Sequence, residues 1–167
     1  VCWSDGVSCL PLDFFLLSSA HEKRRVCGHQ KTMDKRCCAY QRRKEATAKA
    51  TEYLEAMIMR VQSYGINARY LLMDSWFTLP AVVSSLGKHV DIIGMVRKTP
   101  MIHYIFNGHT MDLMAIYRRL KKRRGRARIL TSTLVALKDG RQAKLVFIRD
   151  RRKKDWLALL STDTTLS

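Results

Sequence analysis

The chain has 167 residues, with 31 Lys or Arg against 14 Asp or Glu, a net charge of +17 and 47% apolar residues. That length suits one domain with a real core, and the apolar content, with few Gly and Pro, excludes a disordered tail. The charge excess implies a polyanionic partner, nucleic acid before an anionic membrane surface, and no apolar run is long enough to span a membrane.

The chain begins Val1-Cys2-Trp3-Ser4-Asp5, without the basic and apolar regions of a signal peptide and without Met. It reads as a piece of something longer. Cys2, Cys9, Cys27, Cys37 and Cys38 are odd in number and unevenly spaced, which argues against a disulfide framework and for a reducing cytoplasm. His21, Cys27, His29 and Cys37 match no zinc spacing and read as small hydrophobes and a loop.

Val1 to Ser4 reads as the end of a strand, Asp5-Gly6 as a turn, and Ser8 to Ser18 as the returning strand. The first piece is thus a β-hairpin with a shortened leading strand. Residues 19–39 have no clean period and are expected to form a loop. Tyr40 to Tyr64 is predicted as one helix, because Ala46, Ala50, Tyr53, Leu54, Met57, Ile58 and Val61 share a stripe and Gly65 follows as a stop. The stripe is core.

Arg69 to Met73 is mostly apolar and bulky, as in a strand of a parallel sheet buried on both faces. Asp74 ends it. Thr78 is the expected N-cap of a helix with Pro80 in its first turn, ending near Gly87. An acid at the carboxyl end of a central strand stands where open α/β sheets place their chemistry; equally, Asp74 could merely cap the next helix. Val90 to Val96 is the next strand. The order from residue 8 to 97 implies parallel pairing by crossovers, and the hairpin makes the sheet mixed.

After Pro100, Tyr104 to Gly108 suggests a small strand and turn, and Thr110 to Leu120 a short helix. Ala127 to Leu137 and Gln142 to Arg149 are two strands joined by the turn Asp139-Gly140, and Trp156 to Leu160 is a last strand. Three runs concentrate the cations: 23–44 holds 9, 118–126 holds 7 and 149–155 holds 5 of the 31. Such runs are ordinarily solvated faces; three together favour a surface that meets phosphates. The phosphate contacts expected are Arg42, Arg43, Lys44, Lys98, Lys121, Lys122, Arg123, Arg124, Arg126, Arg151, Arg152 and Lys153.

Several segments together resemble a family: Trp3-Ser4-Asp5-Gly6, Pro11-Leu12-Asp13-Phe14, Leu72-Met73-Asp74-Ser75-Trp76-Phe77, Val96-Arg97-Lys98-Thr99-Pro100, and Asp155-Trp156-Leu157-Ala158-Leu159-Leu160-Ser161-Thr162-Asp163-Thr164. They are similar to bacterial insertion-sequence DDE transposases of the insertion-sequence-four type, over nearly the whole chain. The resemblance implies an α/β fold with a ribonuclease-H-like mixed sheet: a partial catalytic core at 1–97, a basic β-rich insertion at 98–160 and a lead-in to a catalytic helix at 161–167. It implies cutting of DNA at transposon ends and joining to target DNA, with Mg²⁺ or Mn²⁺ held between three carboxylates. It also implies a dimer in the synaptic complex of the full-length enzyme, in bacterial cytoplasm at the nucleoid.

Asp74 matches the family's second acid and so its metal ligand. The first acid belongs on a strand upstream of the hairpin and the glutamate on a helix after Thr164, so the chain reads as truncated at both ends. Asp5 and Asp13 are not substitutes. One of three acids carries over, and an open sheet edge is expected where the first acid's strand would pair. The alternative is a basic DNA-binding module without chemistry of its own.

Overall fold

The computed structural model describes residues 1–25, 33–150 and 155–166. The chain is a mixed α/β protein with two compact units, Val1–Asn67 and Ala68–Ser167.

In the first unit, β1 (Cys2–Ser4) and β2 (Cys9–Pro11) pair antiparallel around the predicted turn, where Gly6 adopts φ 96°. The hairpin is its own two-stranded sheet, not part of the larger one as the sequence suggested. β2 also stops at Pro11 instead of running to Ser18. β1 offers only three residues to pair. Beyond them Asp13 is drawn out of the ladder by two arginines, described below.

The single helix predicted over 40–64 is two, α1 (Cys38–Glu45) and α2 (Ala50–Ser63). No Gly or Pro breaks it. The Ala46 carbonyl accepts the Ser18 N–H at 2.9 Å and the Thr47 hydroxyl donates to the Lys44 carbonyl at 3.1 Å. Those two bonds take carbonyls from the i to i−4 ladder, so the helix ends and restarts. The apolar stripe is still core: Ala46, Met57 and Ile58 are buried.

The second unit is built on seven strands: β3 (Tyr70–Met73), β4 (Asp91–Val96), β5 (His103–Phe106), β6 (His109–Asp112), β7 (Ile129–Ala136), β8 (Gln142–Asp150) and β9 (Asp155–Ser161). Their order is β3-β4-β9-β8-β7-β5-β6. β3 and β4 are parallel, joined by α3 (Pro80–Leu86); every other pair is antiparallel. β3 is therefore an edge strand, not the central one expected. With one neighbour it is not buried on both faces, and Leu72 is 74% exposed. The boundary expected at residue 97 is crossed by the ladder of β4 with β9, so the basic β-rich segment continues the same sheet.

Local signals explain most of these elements. Asn107 and Gly108 both take positive φ, which makes the tight hairpin of β5 and β6. The Asp112 side chain accepts the Ala115 N–H and caps α4 (Leu113–Arg119), so the helix predicted from Thr110 begins after a strand. One face of the sheet is buried through Ile92, Val96, Ala143, Leu145, Phe147, Trp156, Ala158 and Leu160. α4 closes on it where the Tyr117 ring stacks on Trp156, with centroids 4.3 Å apart, and meets Phe147 at 5.1 Å. On the opposite face Leu72, Met95 and Leu134 are exposed. Among the described residues no helix is long and apolar enough to cross a membrane.

Candidate nucleic-acid interface

Asp74 follows the last residue of β3, at the end of the sheet where parallel β4 also finishes. Its carboxylate Oδ1 accepts the Trp76 N–H at 2.7 Å, and its carbonyl accepts the Thr78 hydroxyl at 2.7 Å and the Thr78 N–H at 3.1 Å. Leu79, not Thr78, caps α3, with Pro80 at the first helical position. Thr78 is diverted because its side chain is buried against Gly94 of β4, where a Cβ would collide with it. The turn after Asp74 is thus fixed at both ends, while the Asp74 side chain itself is exposed.

A pair of divalent ions needs several hard oxygen ligands converging on one place. Among the described residues no group of three or more His, Cys, Asp or Glu could hold a metal ion. Cys27 and His29 lie outside the described residues. The other acids of interest are committed elsewhere. Asp5 accepts the Val7 and Ser8 N–H groups, and the Ser8 and Val7 amides hold its carboxyl below the usual range. Asp163 accepts from Thr165 and from the Tyr70 hydroxyl, and Thr165 first of all lowers its carboxyl in the same way. Asp13 is held within the first unit, where Arg42 Nη2 donates to its Oδ1 at 2.6 Å and Arg60 Nε to its Oδ2 at 3.1 Å. Asp74, one exposed carboxylate with an oxygen already bonded to its own turn, does not fit a two-ion site among the described residues.

The cations fall into three sets. Arg42 is bound internally, to Asp13, to the Phe14 carbonyl at 2.8 Å and over the Phe14 ring. Lys98 pairs with Asp155 at 2.6 Å and lies 4.0 Å from the Trp156 ring centroid. Lys122 donates to the Arg118 carbonyl and lies over Tyr117. These three shape the fold as well as its charge. Arg43 and Lys44 are exposed on the last turn of α1, where cations suit the helix dipole. Arg151, Arg152 and Lys153 lie outside the described residues.

The third set runs from Arg118 to Arg128, the last turn of α4 and the loop after it, with eight Lys or Arg and no acid. Arg118, Arg119, Lys121, Arg123, Arg124, Arg126 and Arg128 are exposed. The backbone beneath them is held. Arg123 N–H donates to the Leu130 carbonyl at 2.7 Å, Gly125 turns the chain at φ 78°, and the Arg149 guanidinium donates to the Gly125 carbonyl at 3.0 Å and to the Ala127 carbonyl at 3.4 Å. The loop therefore carries its side chains outward from an anchored backbone. That is an electrostatic footprint suited to phosphates rather than to one sequence of bases.

Two residues were not read as site residues from the sequence. Trp76 is 69% exposed, and the Arg97 guanidinium lies 4.9 Å from its ring centroid. The signal was available in a large aromatic two residues past the strand-end acid, but its exposure depends on β3 lying at the edge. No family model, no curated protein and no solved structure matches the chain.

Proposed function

We propose that this chain is part of a bacterial insertion-sequence DDE transposase with a ribonuclease-H-like core, and that on its own it binds DNA without cutting it. The observation that carries the binding is the anchored segment 118–128, the end of α4 and its following loop, with eight cations and no acid. The likeness to transposases rests on the strand end Leu72-Met73-Asp74-Ser75-Trp76-Phe77 and on the last strand with its continuation. The parallel pair β3 and β4, with an exposed carboxylate at its carboxyl end, supports that likeness. Mg²⁺ or Mn²⁺ belongs, in this reading, to the complete enzyme. Cytoplasmic DNA at the nucleoid is the partner.

Replacing Arg123, Arg124 and Arg126 by Gln tests the binding. Each phosphate that is no longer neutralised takes about 0.9 from the slope of log affinity against log salt. The triple variant should weaken binding on every duplex sequence tried and flatten that slope by about 2 to 3. A variant that loses affinity for one sequence only, or keeps the wild-type slope, would place the phosphate contacts elsewhere.

A further inference from the structure

We propose that Trp76 and Arg97 form a stacking site for one unpaired base of a single-stranded nucleic acid. The inference rests on the DNA-binding reading above and adds a substrate state to it. The exposed indole offers a large aromatic surface beside a guanidinium. Here the backbone that carries the ring is also held. The Trp76 main-chain N–H donates to Asp74 Oδ1, and two residues on the chain is pinned by the buried Thr78. Arg97, one residue past the end of β4, lies near one face of the indole, and 69% exposure leaves most of the rest of the side chain open. A turn already fixed in place does not have to be ordered on binding, which leaves more of the stacking energy for affinity.

The local charges select the ligand. No ion pair among the described residues uses Arg97, so its guanidinium can meet a phosphate while it stacks. The Asp74 carboxylate on the same turn repels a second phosphate, so the indole takes a base and not the backbone. Bases inside a duplex are stacked on one another and offer no free face, so the site distinguishes single strands from duplex. The net charge of +17 favours a nucleic acid over an apolar protein segment as the occupant.

The test compares the whole chain with Trp76→Ala and Trp76→Phe on a short thymidine oligonucleotide and on a blunt duplex, by fluorescence anisotropy of the labelled DNA. Trp76→Ala should bind the single strand about tenfold more weakly, on the usual worth of one stacked base, with duplex affinity unchanged. Trp76→Phe, which keeps a π face, should retain most of the single-strand affinity. The quenching of indole emission by the oligonucleotide should vanish in Trp76→Phe. Equal single-strand affinity for Trp76→Ala and wild type overturns the stacking site and leaves duplex binding standing. Parallel loss on both DNAs overturns it as well, and marks Trp76 as structural. A wild-type chain that binds neither DNA sinks the DNA-binding reading itself.

Discussion

Raising salt from about 50 to 200 mM should weaken duplex binding by this chain roughly a thousandfold. The segment from Arg118 to Arg128 exposes seven cations, Arg118, Arg119, Lys121, Arg123, Arg124, Arg126 and Arg128. If about six of them displace counterions, the log–log slope is close to −5, and a fourfold rise in salt gives that loss. Lys98, Lys122 and Arg42 should add less, because each already has a partner within the protein. Isotherms on two unrelated duplexes, at several salt concentrations, measure the slope directly. The two should fall on parallel lines, because nothing in the loop selects a base pattern. A shallow slope would mean that the charge is scattered and merely solvating.

The second large effect is on stability. Asp13→Ala should destabilise the first unit by about 2 to 3 kcal/mol, because it takes from two arginines the carboxylate that binds both of them most closely. The Asp13 side chain is 5% exposed, against 23% for Arg42 and 35% for Arg60, so the acid is the buried member and its removal is felt most. Glu45 pairs with Arg60 at 3.4 Å and meets Arg42 at 3.8 Å, but its second oxygen and Arg60 Nη2 are buried without hydrogen-bond partners among the described residues. Glu45 therefore does not replace Asp13.

The same group gives the first unit a pH dependence. Burial pushes the Asp13 carboxyl up, but the hydrogen bond from Arg42, the Phe14 N–H and the charges of Arg60 and Arg42 outweigh it and hold the group below 3.8. A carboxyl lowered on folding stabilises above its ordinary value and loses that contribution as pH falls through the lowered one. Hydrogen exchange in α2, followed as pH is lowered below 3.8, should show opening at higher pH in Asp13→Ala than in wild type. Identical acid profiles would remove Asp13 from the account.

Elements set by neighbours in sequence were legible, and those set by distant partners were not. Asp139-Gly140, with Gly140 at φ 84°, fixed the β7–β8 hairpin within a residue or two of its bounds. Pro80 and Gly87 bracketed α3 for the same reason. By contrast, β2 ends early because Asp13 binds arginines 29 and 47 residues away. The break between α1 and α2 turns on a Ser18 N–H that no helical periodicity registers. The apolar run at 69–73 could not reveal that β3 has one neighbour, since an edge and a centre differ only in what pairs on the far side. The candidate site divided the same way. The loop cations were visible as a run, whereas Arg42 and Lys98 belonged to the same charge pattern and the fold binds them to acids. Trp76 was legible as a motif residue only, because exposure is a property of the folded edge.

In the proposed reading these residues bind DNA and, carrying one exposed acid at the end of β3, do not cut it. The most direct measurement incubates the purified chain and its Asp74→Ala variant with transposon-end DNA and Mg²⁺ or Mn²⁺, scoring binding and strand scission in the same samples. Equal affinity, steep in salt, and no scission by either protein are expected. Scission by the wild type that disappears in Asp74→Ala would contradict it, and would require another acid to complete the site.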